Sequence, residues 1–474
     1  MTVLDKHSIN FIRGWPHPSL FPTALLSAST QALLSNPAIY TPALQYGDDP
    51  GYEPLRQTLA TWLHAHYSVD RDPERICISG GASQNLTCIL SSFTDPVATR
   101  AVWCVNPTYH LVFGIFEDAG FGGRIQAFPE DDDGPDVEAL EKRLLEFEHR
   151  DRHSVKTPIK DPGQYRKLYR HIIYVVATCA NPSGKTMSLE KRKDLVRVAR
   201  KFDALVISDD VYDFLQWPIT GNQGSSSTQE VDLSESAEMR LPRLCDIDLA
   251  LGPSPDDPQR FGHAVSNGSF SKIVGPGMRT GWLEGSRAFA NGLAQTGSTK
   301  SGGSPSQWCA AILADMIESG ALQDHLVTTV RPALQARHRI ITGAIRTYLE
   351  PLGISYRRVG LRGGEAYGGY FIWLRLPHGL SADVITLAAA EVENVFVGSG
   401  TMFQVPEAPR TREQDNTANM DCFLRLTFAY LSEEDLVEGV QRLGRVIRRI
   451  QNDPEKYLAT KTPELNSNMI DACK

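Results

Sequence analysis

HIIYVVATCANPSGKTMSLEKRKDLVRVARKFDALVISDD, His171 to Asp210, holds an apolar run, a turn rich in Asn, Pro and Gly, a helical pattern and a second apolar run. The runs His171–Ala177 and Ala204–Ser208 are short and rich in β-branched residues, as strands buried on both faces are. Between them Ser188 can cap a helix by accepting from a first-turn N–H, and Leu195, Val196, Ala199 and Phe202 fall on one helical face. Strand, helix, strand predicts parallel pairing. Outward from this unit, Arg75–Ser79 and Ala101–Val105 read as two further strands, the first running through Gly80-Gly81 into an apolar helix. The repetition predicts an α/β fold with a largely parallel sheet between helices, and ligands bind such sheets beyond the carboxyl ends of the strands. Farther along, Ser432-Glu433-Glu434-Asp435 resembles a capping box, followed at helical spacing by Leu436, Val440, Leu443, Ile447 and Ile450. That pattern predicts a second, smaller α+β domain.

The 474 residues are 41% hydrophobic and 22% charged, a globular composition with ample core. Length alone suggests about three domains, but large α/β enzymes run longer as one unit and two are expected. With 48 basic and 56 acidic residues, a net charge of −8, the chain has no basic footprint for nucleic acid or an anionic membrane. No apolar run reaches about 18 residues, and MTVLDKHSIN lacks the apolar core of a signal peptide, so a cytoplasmic location is expected. Eight scattered cysteines without a CxxC pair read as reduced and structural. Glu148–Arg170 and Pro218–Phe261 read as mobile surface excursions, and neither the tail after Asn452 nor the last four residues carry a pattern or signal.

Four loops carry candidate chemistry. Gly80-Gly81-Ala82-Ser83 opens a helix, and small residues there bring backbone N–H groups and the Ser83 hydroxyl close to an anion, although such a turn is more often only a turn. Ala180-Asn181-Pro182-Ser183-Gly184 sets an Asn at the mouth of the crevice, and is also what a plain β-turn looks like. Asp209-Asp210 ends a strand with two carboxylates that have no packing role and must meet water or a cation, with Tyr212 just beyond. Ser269-Phe270-Ser271-Lys272 places a lysine among hydroxyls, seven residues before Arg279, where an amine of shiftable pKa suits imine chemistry.

In this order the set resembles the signature of fold type I pyridoxal-phosphate enzymes, specifically class I/II aminotransferases of the kynurenine and 2-aminoadipate branch and their fungal relatives. The resemblance extends from INFIRGWPHPSLFP at Ile9, through LQYGDDPGYEPLR at Leu44, to Arg425 in FLRLTFAY. It implies a large domain over residues 46–325 with a mostly parallel seven-stranded sheet. An N-terminal arm, 1–45, would join in part a smaller α+β domain over 326–474. It further implies that Lys272 carries the pyridoxal 5′-phosphate and moves the substrate proton, and that Asp209 pairs with the pyridine nitrogen. Asn181 and Tyr212 would hydrogen-bond the phenolic oxygen, and Tyr109 in NPTYH would stack on the ring. The phosphate would lie against Ala82, Ser83, Ser269, Ser271 and Arg279, with Tyr46 reaching it from the other subunit of a homodimer. Arg425 would grip the substrate carboxylate, with Asn181 beside it. Ala82 departs from the family's usual polar residue, so one phosphate hydrogen bond is expected to be missing.

The implied activity moves an amino group between an L-amino acid, aromatic or 2-aminoadipate-like, and a 2-oxo acid by a ping-pong mechanism. A carbon–sulfur β-lyase fits the same residues. A transcriptional regulator with an aminotransferase-like domain needs a DNA-binding module, yet only about ten residues precede INFIRG and none form a basic domain. A pseudoenzyme conflicts with the presence of Lys272, Asp209 and Arg425. The arm residues Arg13, Trp15 and Phe21 suit a cover over a large substrate, while Trp15 could equally anchor the small domain's core.

Overall fold

The computed structural model describes residues 7–150, 157–219, 237–406 and 419–458. Five neighbouring strands run parallel: Ile125–Asp131, Ala101–Asn106, His171–Val175, Ala204–Asp209 and Ala264–Ser269. Gly281–Glu284 then pairs antiparallel between Ala264–Ser269 and Ile76–Ser79. These are the seven strands expected, and a two-residue strand, Gly134–Pro135, adds an eighth at the far edge. Every residue of His171–Val175 is buried, because helices cover both faces and leave no side for water. The crossover helix is Leu189–Lys201, where the Ser188 hydroxyl accepts from Lys191 N at 3.4 Å and Leu195, Val196 and Ala199 are buried.

A second, antiparallel sheet orders Ser355–Tyr356, Phe371–Arg375, Phe423–Thr427 and Gly398–Ser399. Glu433–Asn452 packs against the helices Arg331–Tyr348 and Ala382–Glu393 with Leu436, Val440, Leu443, Ile447 and Ile450 buried, capped by Ser432 accepting from Asp435 N at 3.1 Å. The N-terminal arm joins this layer: Ile9–Asn10 pairs parallel with Val395–Phe396, and Thr427 N donates to Phe11 O at 3.0 Å.

The two supposed excursions are largely fastened down where the structure describes them. In the first, the Asp95 carboxylate accepts from Ile159 N and Lys160 N, and Lys160 Nζ donates to the Ser91 and Thr94 carbonyls at 3.0 and 2.9 Å. In the second, Leu244–Ala250 is a helix with Leu244 and Cys245 fully buried. Charge misled the sequence reading there, because charged side chains also serve as buried ties. Residues 151–156, 220–236 and 459–474 lie outside the described residues, and with them the GNQGSSSTQE stretch and the last four residues.

Arg243 is the strongest such tie. Its side chain is 1% exposed, donates to Glu284 Oε2 at 2.7 Å and to both Asp246 oxygens at 2.9 Å, and lies 4.3 Å over the Tyr67 ring. Removing one partner of a buried ion network leaves the others desolvated. Arg243→Ala is therefore expected to lower stability by about 3–5 kcal/mol, read as a shifted midpoint in urea unfolding, whereas Arg287→Ala at the surface should leave that midpoint nearly unmoved.

Candidate active site

One cleft opens beyond the carboxyl ends of the parallel strands, and eleven of the twelve candidate residues line it: Ala82, Ser83, Tyr109, Asn181, Asp209, Tyr212, Ser269, Ser271, Lys272, Arg279 and Arg425. Tyr46 does not; it is 88% exposed on this chain. Strand geometry explains most of the convergence, since Ile76–Ser79, Ala101–Asn106, His171–Val175, Ala204–Asp209 and Ala264–Ser269 all end on the same side of the sheet; Arg279 comes from just before the antiparallel strand Gly281–Glu284, and Arg425 from the second sheet.

Asp209 is the last residue of its strand. Its Oδ2 accepts the Tyr174 hydroxyl at 2.7 Å, while Oδ1 is buried and meets no donor among the described residues. Burial pushes its carboxyl up to about 6, opposed by the Tyr174 hydrogen bond and by Lys272. Asp210 corrects the expectation for this acidic pair: rather than water or a cation, it meets the Ser208 and Ser266 hydroxyls, each at 2.5 Å, in the core beneath the cleft. Successive strand residues point to opposite faces, so only one of two adjacent carboxylates can face the ligand.

Lys272 Nζ donates to the Gly14 carbonyl at 2.7 Å and lies 5.4 Å from the Tyr370 ring. Burial pushes its amine down to about 8; Asp209 opposes that shift and Arg425 adds to it. Arg425, 3% exposed, donates through Nη1 to Asn181 Oδ1 at 2.9 Å and through Nη2 to the Ile12 carbonyl, with its guanidinium 4.2 Å from the Phe371 ring and 4.5 Å from Phe403. Tyr212 is buried against Tyr370 at 5.5 Å, and burial raises its phenol well above the usual range. Tyr109 is pushed up to about 12 by burial first and by Asp209 second.

The phosphate-binding expectation falls on the helix Ala82–Phe93. Its cap, Gly81, has φ 110°, and a Cβ there would stand 3.1 Å from Arg279 Nη2, so glycine makes room for the guanidinium. Arg279 itself donates to the Gly80 carbonyl at 2.8 Å, and Ser269 Oγ donates to Ser271 Oγ at 3.0 Å. First-turn N–H groups lack intrahelical acceptors, so this corner offers backbone donors, three hydroxyls and a cation to a dianion. Ala82 contributes no side-chain donor; its carbonyl accepts from Asn267 Nδ2 at 3.1 Å, which fixes the helix start.

Sequence reasoning missed Tyr174, Asn267 and His110, all of which line the cleft. Tyr174 sits inside a buried strand, where a polar tip among apolar neighbours was the available signal. His110 follows Tyr109 and is held neutral, its imidazole pushed down to about 4 by burial and then by Arg425. Trp15 lines the cleft, its ring centroid 5.6 Å from that of Tyr430 in an edge-on pair, and is 39% exposed, so it covers the cleft rather than anchoring the small sheet's core.

The buried Asp209 oxygen without a donor, the cation-and-hydroxyl corner and a desolvated amine between them match a ring with a protonated nitrogen, a phosphate and a carbonyl carbon. The amine also sets a pH dependence. Because Lys272 is pushed below its unfolded value, the folded protein holds fewer protons than the unfolded chain between about pH 8 and 10.5, and stability rises with pH across that window. Lys272→Met should therefore stabilise the cofactor-free protein by about 1–3 kcal/mol at pH 7. Thermal unfolding should show that gain shrinking toward pH 10.

A family model, Aminotransferase class I and II, matches residues 22–443. An uncharacterized protein of Saccharomyces cerevisiae is 32% identical over 461 residues, covering 93% of this chain and 97% of that one. Aromatic-amino-acid aminotransferase 1 of Thermococcus litoralis is 25% identical over 441 residues, covering 93% and 88%. Among solved structures, the α-aminoadipate aminotransferase of Thermus thermophilus, complexed with N-(5′-phosphopyridoxyl)-L-leucine, superposes with a TM-score of 0.69 at 25% identity, covering 94% and 93%. With the cleft's geometry and a match over most of its length, the chain belongs to the class I and II aminotransferases, enzymes that work with pyridoxal 5′-phosphate.

Proposed function

We propose that this chain transfers the amino group of an aromatic or 2-aminoadipate-like L-amino acid to a 2-oxo acid, in two half-reactions, through the residues that line the cleft. The observation that carries the residue assignment is the unsatisfied, buried Asp209 Oδ1 in the same cleft as the desolvated Lys272 amine. Pyridoxal phosphate, when bound, supplies an electrophilic carbon for amines and a cationic ring that accepts the charge left when a substrate's α-carbon loses its proton. Asp209 holds a positive charge at the ring nitrogen. Ser83, Ser269, Ser271, Arg279 and the N–H groups of Ala82 and Ser83 hold the phosphate, and Tyr109 covers the ring face. Asn181 and Tyr212 donate to the phenolic oxygen.

Lys272 is the carrier of the cofactor and the proton-moving group. A value near 8 keeps a usable fraction of Nζ neutral at pH 7, so it can take the α-proton and return it. Arg425 binds the substrate α-carboxylate with its planar fork, displacing its contact with the Ile12 carbonyl. Aromatic-amino-acid and α-aminoadipate aminotransferases among the relatives support transamination over β-elimination and support that donor class. Tyr46, exposed on this chain, is assigned to the phosphate of a second copy, which makes the working unit a homodimer. The assignment of 46–325 to a large domain, and of 1–45 with 326–474 to the small one, is supported by the two sheets, drawn from 76–284 and 355–427. The seven cysteines among the described residues, all unpaired, support a reducing compartment, the cytoplasm.

Single amino acids added to the pyridoxal-phosphate-loaded protein, with no oxo acid present, should bleach its absorbance with release of one equivalent of 2-oxo acid. Continuous pyruvate and ammonia from a cysteine conjugate would instead make it a lyase. Lys272→Ala should lose about 10²–10⁴-fold or more of turnover, and near-normal transamination by that variant would sink the assignment.

A further inference from the structure

Tyr174 has no part in the chemistry described so far, yet it is the only described side chain that donates to Asp209. Its strand, His171–Val175, pairs parallel with Ala204–Asp209, and its Cα partner is Ile207. Residues two apart on a strand share a face, so Tyr174 and Asp209 are diagonal neighbours on the same side of the sheet, within reach of a long side chain leaning toward the strand end. The ring is 1% exposed and meets Phe116 edge-on at 5.9 Å, so the phenol has little freedom to turn away. The hydroxyl fills Oδ2 at 2.7 Å, while Oδ1 stays buried without a donor.

We propose that Tyr174 is the positioning residue for Asp209: by occupying one carboxylate oxygen it fixes the rotamer and presents the other, ionised, to the protonated nitrogen of the ring bound in the cleft. The proposal rests on the cofactor assignment above. A carboxylate held by one neutral donor keeps most of its charge for the second, cationic one, whereas a pair of neutral donors would leave no oxygen for the ring. Donation to the ionised form also opposes the burial that drives Asp209 toward its neutral state. The other titratable groups that act on or feel this carboxylate are Lys272 from the segment after Ala264–Ser269, Asp213 from its own loop, and Tyr109 and Tyr212 from the loops after Ala101–Asn106 and Ala204–Asp209. Lys272 lowers the carboxyl and Asp213 raises it, so removal of the hydroxyl leaves burial and Asp213 opposed by Lys272 alone.

The test is the affinity of pyridoxal phosphate for the cofactor-free protein across pH 5.5–9.5, measured by quenching of protein fluorescence for wild type and Tyr174→Phe. Loss of one hydrogen bond to a charged group should move the acidic limb of binding upward by about one pH unit. At pH 6.5 that is roughly threefold weaker binding and at pH 5.5 roughly eightfold, with the two curves meeting by about pH 9. In an Asp209→Asn background the same substitution should change affinity by less than about twofold. Site-specific 3-fluorotyrosine at position 174, a stronger donor of nearly the same shape, should move the limb downward, and it keeps the test decisive if the Phe variant folds poorly. Superimposable pH curves for wild type and Tyr174→Phe would overturn the proposal. A pH-independent loss that persists in the Asp209→Asn background would also overturn it, by reducing Tyr174 to packing. Failure of the wild-type protein to bind pyridoxal phosphate at any pH would remove the cofactor assignment itself, a result distinct from either.

Discussion

A carboxylate buried at the end of a central strand loses its hydration, and the surrounding structure must restore interactions that water would have made. Asp209 gets one of these from Tyr174 and a Coulombic one from Lys272, which leaves Oδ1 demanding a cation. The demand is mutual: the Lys272 amine is itself desolvated, and Asp209 is what keeps it from falling further. The two groups therefore approach each other in pKa, the acid raised to about 6 and the amine lowered to about 8. That narrow gap is the property needed by a group that must gain and lose a proton at ordinary pH.

The floor beneath the cleft supports that arrangement with further buried charge. Asp210 takes two hydroxyls, Asp213 takes the Tyr67 hydroxyl at 2.6 Å, and Arg243 lies over the same Tyr67 ring. Arg192, 1% exposed, donates to the carbonyls of Met187, Ala177 and Pro242 and to Thr178 Oγ1, tying the strand His171–Val175 to its crossover helix and to the segment before Leu244. These ties are rigid because breaking any one leaves a buried polar group unmatched. Position at the strand ends is thereby fixed from below as well as by the sheet.

The strands, the crossover helix and the loops at the strand ends were legible because each carries a local signal: β-branched runs, a Ser cap with an apolar face, and Gly, Asn or Pro where the chain turns. Roles for Lys272, Asp209 and Arg425 needed the order of several loops together, since one lysine or one arginine has no signature of its own. Tyr174 carried only the weak signal of a polar tip in an apolar strand, and its role was not legible because its partner lies 35 positions away and the contact depends on strand register. The segment before Phe261 was misjudged for a related reason. Its arginines and aspartates look solvated in a linear reading, and only the fold shows that Arg243 faces Glu284, 41 positions on. Charge predicts exposure until a partner of opposite sign is brought to it, and pairing over such distances is a property of topology.

The N-terminal arm shows the same dependence in its sharpest form. Its backbone, with no charged side chain of its own involved, meets two of the three cations of the cleft: the Ile12 carbonyl accepts from Arg425 and the Gly14 carbonyl from Lys272. A Cβ at Gly14 would stand 2.6 Å from Phe371 Cζ, so this approach is open to glycine and closed to any larger residue unless the ring moves. Phe371 in turn lies under the Arg425 guanidinium and belongs to the strand that pairs with Phe423–Thr427. The arm is thus registered against the second sheet through Ile9–Asn10 and Phe11, and against the first through Lys272. One short run of backbone bridges both layers at the wall of the cleft. Any substrate carboxylate that takes Arg425 competes with a carbonyl of that bridge, so occupancy of the cleft and the seating of the arm are coupled by a single hydrogen-bond donor.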